Sequence, residues 1–200
     1  MPGDMNRRTL LATTTAALAA PALARADAGQ GIVGMSARRM VAAIRRRDLS
    51  SREVMAAHLA QIDRLNPRFN AIVSRVDGEV LLRQAAALDE DAAAGRFRGP
   101  LHGLPHAVKD TAPVKGIRST QGSPILRDNI PTADSLVVER MRKAGMIFVG
   151  KTNVPEFALG SHSFNPLFGV THNAYAPGRS AGGSTGGGAV ALALRMAPLA

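Results

Sequence analysis

The 200-residue sequence contains no cysteine and no tryptophan, and only one tyrosine. Without thiols, disulfide cross-links, thiolate nucleophiles and thiolate metal sites are all excluded. The absence assigns no compartment, because a cysteine-free chain tolerates either redox poise. Aromatic side chains make up 4% of the residues. A core must therefore be assembled from Ala, Val, Leu, Ile and Met, and the ring platforms on which single-stranded nucleic acids stack are hard to build. Acidic side chains are outnumbered, 15 against 25 basic ones, for a net charge of +10. No groove-reading motif accompanies that excess. Much of it is Arg scattered along expected helices, and Arg45, Arg46 and Arg47 fall in a last turn, where cations complement the helix dipole. Nucleic acid is therefore not an expected partner. With 46% apolar and 20% charged residues, the composition is that of a globular domain.

A stable membrane span is also missing, since it needs about 20 strongly apolar residues. The run Thr9 to Ala24 is rich in Ala and Thr and is interrupted by Pro21. It follows the pair Arg7-Arg8 and leads into Ala24-Arg25-Ala26, a small-x-small cleavage site. Residues 1–26 thus read as a signal peptide of twin-arginine type, and the protein as exported to the periplasm.

Beyond residue 26 the pattern is that of helices alternating with short apolar runs. Ser36 to Arg47 carries Met40, Val41 and Ile44 at helical spacing. Ser50 with Glu53 forms a capping box that opens a second helix, with Val54, Leu59, Ile62 and Leu65 on one side. Asn66-Pro67 is expected to end it. A third helix is expected from Gly78 to Ala94, stopped by Gly95, and a fourth from Asp134 to Lys143, stopped by Gly145. His106 to Asp110 and Met146 to Val149 have strand length, and Gly186 to Met196 reads as a buried small-residue helix. Gly150 to Gly183 is expected to be mostly loop. Strands alternating with helices imply an α/β layered domain.

Three motifs bear on chemistry. Gly145 to Thr152 fits the phosphate-loop pattern, but the residues between its glycines are Met, Ile, Phe and Val. Those want a buried strand, whose N–H groups are spent on neighbouring strands and not on phosphate. His102 and His106 have the spacing of a helical metal pair, yet Gly103 and Pro105 lie between them, so two histidines with polar roles are expected and no metal. The segment Arg179 to Gly188 packs five glycines and three hydroxyl residues into ten positions and runs directly into Ala189-Val-Ala-Leu-Ala-Leu194. A flexible linker would not be followed by a packed helix. Glycine permits close backbone approach, and small hydroxyls suit proton relay or oxyanion contacts. By itself the segment reads equally as a tight turn entering a helix.

Taken together and in order, these segments resemble the amidase-signature family. Leu101 to Asp110 resembles that family's lysine-bearing motif, and Ala144 to Phe157 its following strand and loop. Gly182-Gly-Ser-Thr-Gly-Gly187 is similar to its glycine–serine signature, with Thr185 where a second serine is usual. Ser50 to Ala71 is similar to its N-terminal helix ending in Asn-Pro-x-x-Asn-Ala. The resemblance covers about residues 35 to 200. It implies a layered α/β/α fold with a mixed central sheet, of which residues 27–200 form the N-terminal part, and hydrolysis of a carboxylic amide to acid plus ammonia or amine. It also implies a serine–serine–lysine triad. Lys109 matches the base, and Ser184 the bridging serine, whose peptide bond is cis in the family. Gly182, Gly183 and Thr185 belong to the substrate or oxyanion loop. The family's nucleophile lies in a second glycine-rich turn downstream, which residues 1–200 do not contain, so this stretch is expected to be inactive alone. A buried lysine can serve as a base where a solvated one cannot, and Pro105 and Val108 give Lys109 apolar neighbours. Asp110 is expected on the opposite strand face. The partner implied is a small-molecule amide, with no metal or organic cofactor, and a homodimer stays open. Rival readings are a non-catalytic interaction domain on the same half-fold and a nucleotide-binding protein. The family's cytoplasmic, tRNA-dependent amidotransferase member is disfavoured by the export signal.

Overall fold

The computed structural model describes residues 31–200, so the signal-peptide expectation lies outside the described residues. After a short turn come two helices in succession, α1 (Ala37–Arg46) and α2 (Ser51–Phe69). The capping box at the head of α2 is complete. Ser50 Oγ accepts from Glu53 N at 3.0 Å, and Glu53 Oε2 accepts from Ser50 N at 2.8 Å. The next two amides, of Ser51 and Arg52, donate to the carboxylate of Asp89 at 2.6 and 3.0 Å. Asp89 belongs to α3 (Gly78–Ala93), so satisfying the end of one helix ties it to another.

The helix does not end at Asn66-Pro67. Pro67 sits inside the last turn, where its missing N–H removes a single bond, and α2 continues to Phe69. Phe69 is buried, which holds that turn against the core. The stop is Asn70, left-handed at φ 52°, whose N–H donates to Asn66 O at 2.8 Å. Asn66 then shapes the exit with its side chain. Its Oδ1 accepts from Ala71 N and Ile72 N at 3.0 and 2.8 Å, and its Nδ2 donates to Ile72 O at 2.8 Å.

That exit launches β1 (Ile72–Arg75), a strand that no pattern in the sequence announces. With β2 (Pro105–Lys109) and β3 (Ile147–Thr152) it makes a three-stranded sheet in the order β1-β3-β2. β1 runs antiparallel to β3, and β2 parallel to it, so the sheet is mixed. The β2–β3 crossover carries α4 (Leu136–Lys143), which starts two residues later than Asp134. Asp134 is instead occupied outside the helix, accepting from Lys115 N at 2.7 Å and from Arg142 at 2.7 and 3.0 Å.

Each sheet face has its own cluster. Ala107, Ile147 and Val149 pack with residues of α2, α3 and the last helix, α5 (Gly186–Ala193). Val108 and Phe148 pack with Val114 and with Val138 of α4. Helices therefore cover both faces, an α/β/α layering. Between β3 and α5 the chain is mainly loop, but it contains a two-stranded hairpin, β4 (Phe164–Asn165) with β5 (Gly169–Val170). Among the described residues no helix is long and apolar enough to cross a membrane.

Candidate functional site

The end of β2 meets the start of α5. Lys109, the last residue of its strand, sends its Nζ to Ser184 Oγ at 2.8 Å and to Thr185 Oγ1 at 2.9 Å. These residues lie 75 and 76 positions away in sequence. Lys109 and Ser184 are half-buried, and Thr185 is exposed. The pair is thus open on one side instead of enclosed by apolar residues.

The glycine loop is held from behind by main-chain and hydroxyl contacts. Gly182 is left-handed at φ 74°, and the Gly183–Ser184 peptide is cis. Gly182 O accepts from Ser163 N at 2.8 Å, and Gly186 N donates to Ser163 Oγ at 2.9 Å. Gly187 N donates to Asn153 O at 3.2 Å, while a Cβ on Gly187 would lie 2.4 Å from Asn153 N and 2.7 Å from Ala71 O. Only glycine lets α5 start this close to the sheet. Asn153 also ties the loop to the hairpin. Its Nδ2 donates to Gly169 O and Thr171 Oγ1, and its Oδ1 accepts from Asn165 Nδ2 at 2.6 Å.

The segment that mimics a phosphate loop is β3 itself, all six of its residues buried. Lys151 does not extend toward a ligand. It is 0% exposed, donates to Ala112 O, and lies 4.0 Å from the Asp110 carboxylate. Burial pushes both groups toward their neutral forms, and each draws the other back. Lys151 is lowered to about 8, so it stays mainly protonated at neutral pH, and Asp110 is raised. Asp110 also accepts from Thr120 N and Oγ1, the latter at 2.7 Å. It lies on the face away from Lys109 and is engaged by the other lysine.

The two histidines do not come together as ligands. His102 Nδ1 accepts from Arg98 N at 3.1 Å while Nε2 pairs with Leu88 O at 3.0 Å. His106 lies within β2, edge-on to Phe148 at 5.9 Å. Among the described residues no group of His, Asp and Glu is placed to hold a metal ion. Sequence reasoning missed Lys151, Asn153 and Ser163. The first lies inside the false phosphate-loop motif, which masks its signal. The other two carried only a weak signal, a lone polar residue next to an apolar strand or a turn.

The amidase family profile matches residues 53–200, which includes Lys109 and the whole glycine loop. The chain belongs to the amidase family. It is 42% identical over 171 residues to an acylamidase of Rhodococcus erythropolis, covering 86% of this chain and 36% of that protein. It is also 42% identical over 169 residues to a glutamyl-tRNA(Gln) amidotransferase subunit of Acidothermus cellulolyticus, covering 84% and 33%. The peptide amidase from Stenotrophomonas maltophilia superimposes with a TM-score of 0.74 at 33% identity, covering 82% of this chain and 34% of that one. The chain spans about a third of the length of these relatives. The fold shared with the peptide amidase agrees with the layered α/β architecture described above.

Proposed function

We propose that this amidase-family chain is the N-terminal part of an enzyme that hydrolyses a carboxylic amide to acid and ammonia or amine. The observation that carries the reading is the contact of Lys109 Nζ with Ser184 Oγ, 2.8 Å, inside a rigidly held glycine loop. That distance suits proton transfer. Lys109 Nζ takes the Ser184 proton, and Ser184 takes one from an attacking serine supplied from beyond residue 200. The serine oxygen bonds to the amide carbon. The proton returns by the same route to the leaving nitrogen as the C–N bond breaks, and water then releases the acid from the acyl-enzyme. Thr185 Oγ1, 2.9 Å from Nζ, fixes the amine between two oxygens. Gly182 and Gly183 allow substrate to approach the backbone closely.

An acyl-enzyme trap tests this. A fluorophosphonate labels the full-length enzyme, and Lys109→Ala lowers amide hydrolysis by about 10²–10⁴-fold or more without unfolding it. Residues 1–200 alone remain unlabelled. Stoichiometric labelling of Ser184, or full activity in Lys109→Ala, would refute the assignment. We extend the proposal to export. Mass spectrometry of periplasmic protein should find Asp27 at the N-terminus, and an intact Met1 there would count against it.

A further inference from the structure

Among the described residues the least expected side chain is Lys151, the bulkiest of those wholly removed from solvent. A buried cation is costly unless it is paired and hydrogen-bonded, so its partners reveal what it holds in place. Both partners lie on the few residues that follow Lys109. The Asp110 carboxylate is 4.0 Å away, and Ala112 O accepts directly from Nζ. Asp110 is itself 1% exposed and anchors Thr120 through its N–H and hydroxyl, closing the turn from 110 to 120. The main chain is clamped at the same point, where Asp110 N donates to Thr152 O at 3.2 Å and Ala112 N to Lys109 O at 3.0 Å.

Strand register explains how this reaches the site. Val108 pairs with Lys151, and Lys109 with Thr152. Neighbours along a strand point to opposite faces. Val108, Lys151 and Asp110 therefore share the face under α4, whereas Lys109 emerges on the other and meets Ser184 and Thr185. From its own face Lys151 bears on Lys109 only by fixing the backbone from which that side chain springs.

We infer that Lys151 is a positioning residue: by gripping Asp110 and Ala112 it locks the end of β2, and so holds the Lys109 amine between Ser184 and Thr185. Its catalytic meaning rests on the amide-hydrolysis reading; the placement of the amine does not.

The test is therefore one that needs no turnover. The protein is pulsed with acetic anhydride at fixed pH, and acetylation of each lysine is followed by peptide mass spectrometry. Exposed Lys115 serves as the internal reference. In the native protein Lys115 reacts fast, Lys109 more slowly, and Lys151 scarcely at all. In Lys151→Met, with helix content retained by circular dichroism, the Lys109 rate should rise roughly fivefold, the equivalent of one ordinary hydrogen bond set loose. A purely structural role would lower the melting temperature and leave that rate alone. A folded Lys151→Met with an unchanged Lys109 rate overturns the inference. If that variant loses its fold, Lys151→Met combined with Asp110→Asn removes both charges together, and the same rise or its absence decides. In the full-length enzyme Lys151→Met should lower kcat and leave KM unchanged. An enzyme without amidase activity would defeat the functional reading while leaving the labelling result to judge the placement.

Discussion

Acid should unfold this protein through two histidines before its carboxylates respond. His58, in α2, is 0% exposed, with Nδ1 3.2 Å from Arg195 O. His106, in β2, is 5% exposed. Burial lowers both from 6.5 to about 4, against weaker pulls upward from the carbonyls of Arg195 and Leu199. The unfolded chain takes up a proton at each site below about pH 6.5, and the folded chain refuses it until about 4. Stability is therefore intact above 6.5 and falls as pH drops through that window. Each site loses about 2–3 kcal/mol by pH 4.5. Together they remove a large share of the 5–15 kcal/mol typical of a domain. His102, also lowered by burial, adds with the same sign. Asp110, raised by burial, opposes them, because protonation relieves its burial. Glu53, Asp91 and Asp134, all lowered by hydrogen bonds, begin to lose their contributions only below about 4.5. Urea unfolding followed by far-UV circular dichroism at pH 7 and 4.5 measures the loss. His58→Asn keeps an amide donor near Arg195 O but cannot titrate, so the drop between the two pH values should shrink by about 2–3 kcal/mol, and by twice that with His106→Asn added. An unchanged drop in the double variant would refute the reasoning.

Gly187→Ala should destabilise by about 3 kcal/mol or more, because its Cβ meets the backbone of Asn153 and Ala71, which cannot yield as a side chain would; a normal melting temperature would contradict this. Asn66→Ala orphans the amides of Ala71 and Ile72 and should cost about 2–4 kcal/mol in urea titrations. Asn66→Asp keeps the acceptors and should recover most of it.

Local chemistry was legible and pairing was not. The capping box Ser50–Glu53 needs only residues three apart, and the alternating elements sufficed for an α/β layering. β1 was invisible because Ile72 to Arg75 offers four residues, and only their pairing with β3, some 75 positions on, makes them a strand. The end of α2 was misplaced for a related reason. Pro67 carries a local signal to stop, but burial of Phe69 and the Asn66 and Asn70 contacts outweigh one lost hydrogen bond. The apolar run that signals β3 stops at Val149, since neither glycine, lysine nor threonine extends it. The strand continues to Thr152 because Asp110, 41 residues earlier, makes a buried lysine tolerable.

The glycine loop illustrates the other side. Nothing in its spacing distinguished a catalytic loop from a tight turn, and Lys109 and Ser184 were singled out through family resemblance. What the fold adds is the reason these two lysines differ. Lys109 and Lys151 stand on adjacent parallel strands, and the register sets Lys109 beside Thr152, one step past Lys151 beside Val108. One step reverses the face. Lys151 is turned toward α4, finds a carboxylate, and is held as a cation. Lys109 is turned toward α5 and donates to the two hydroxyls of Ser184 and Thr185. The parity of a single strand position thus separates the lysine that grips the end of β2 from the one that meets the glycine loop.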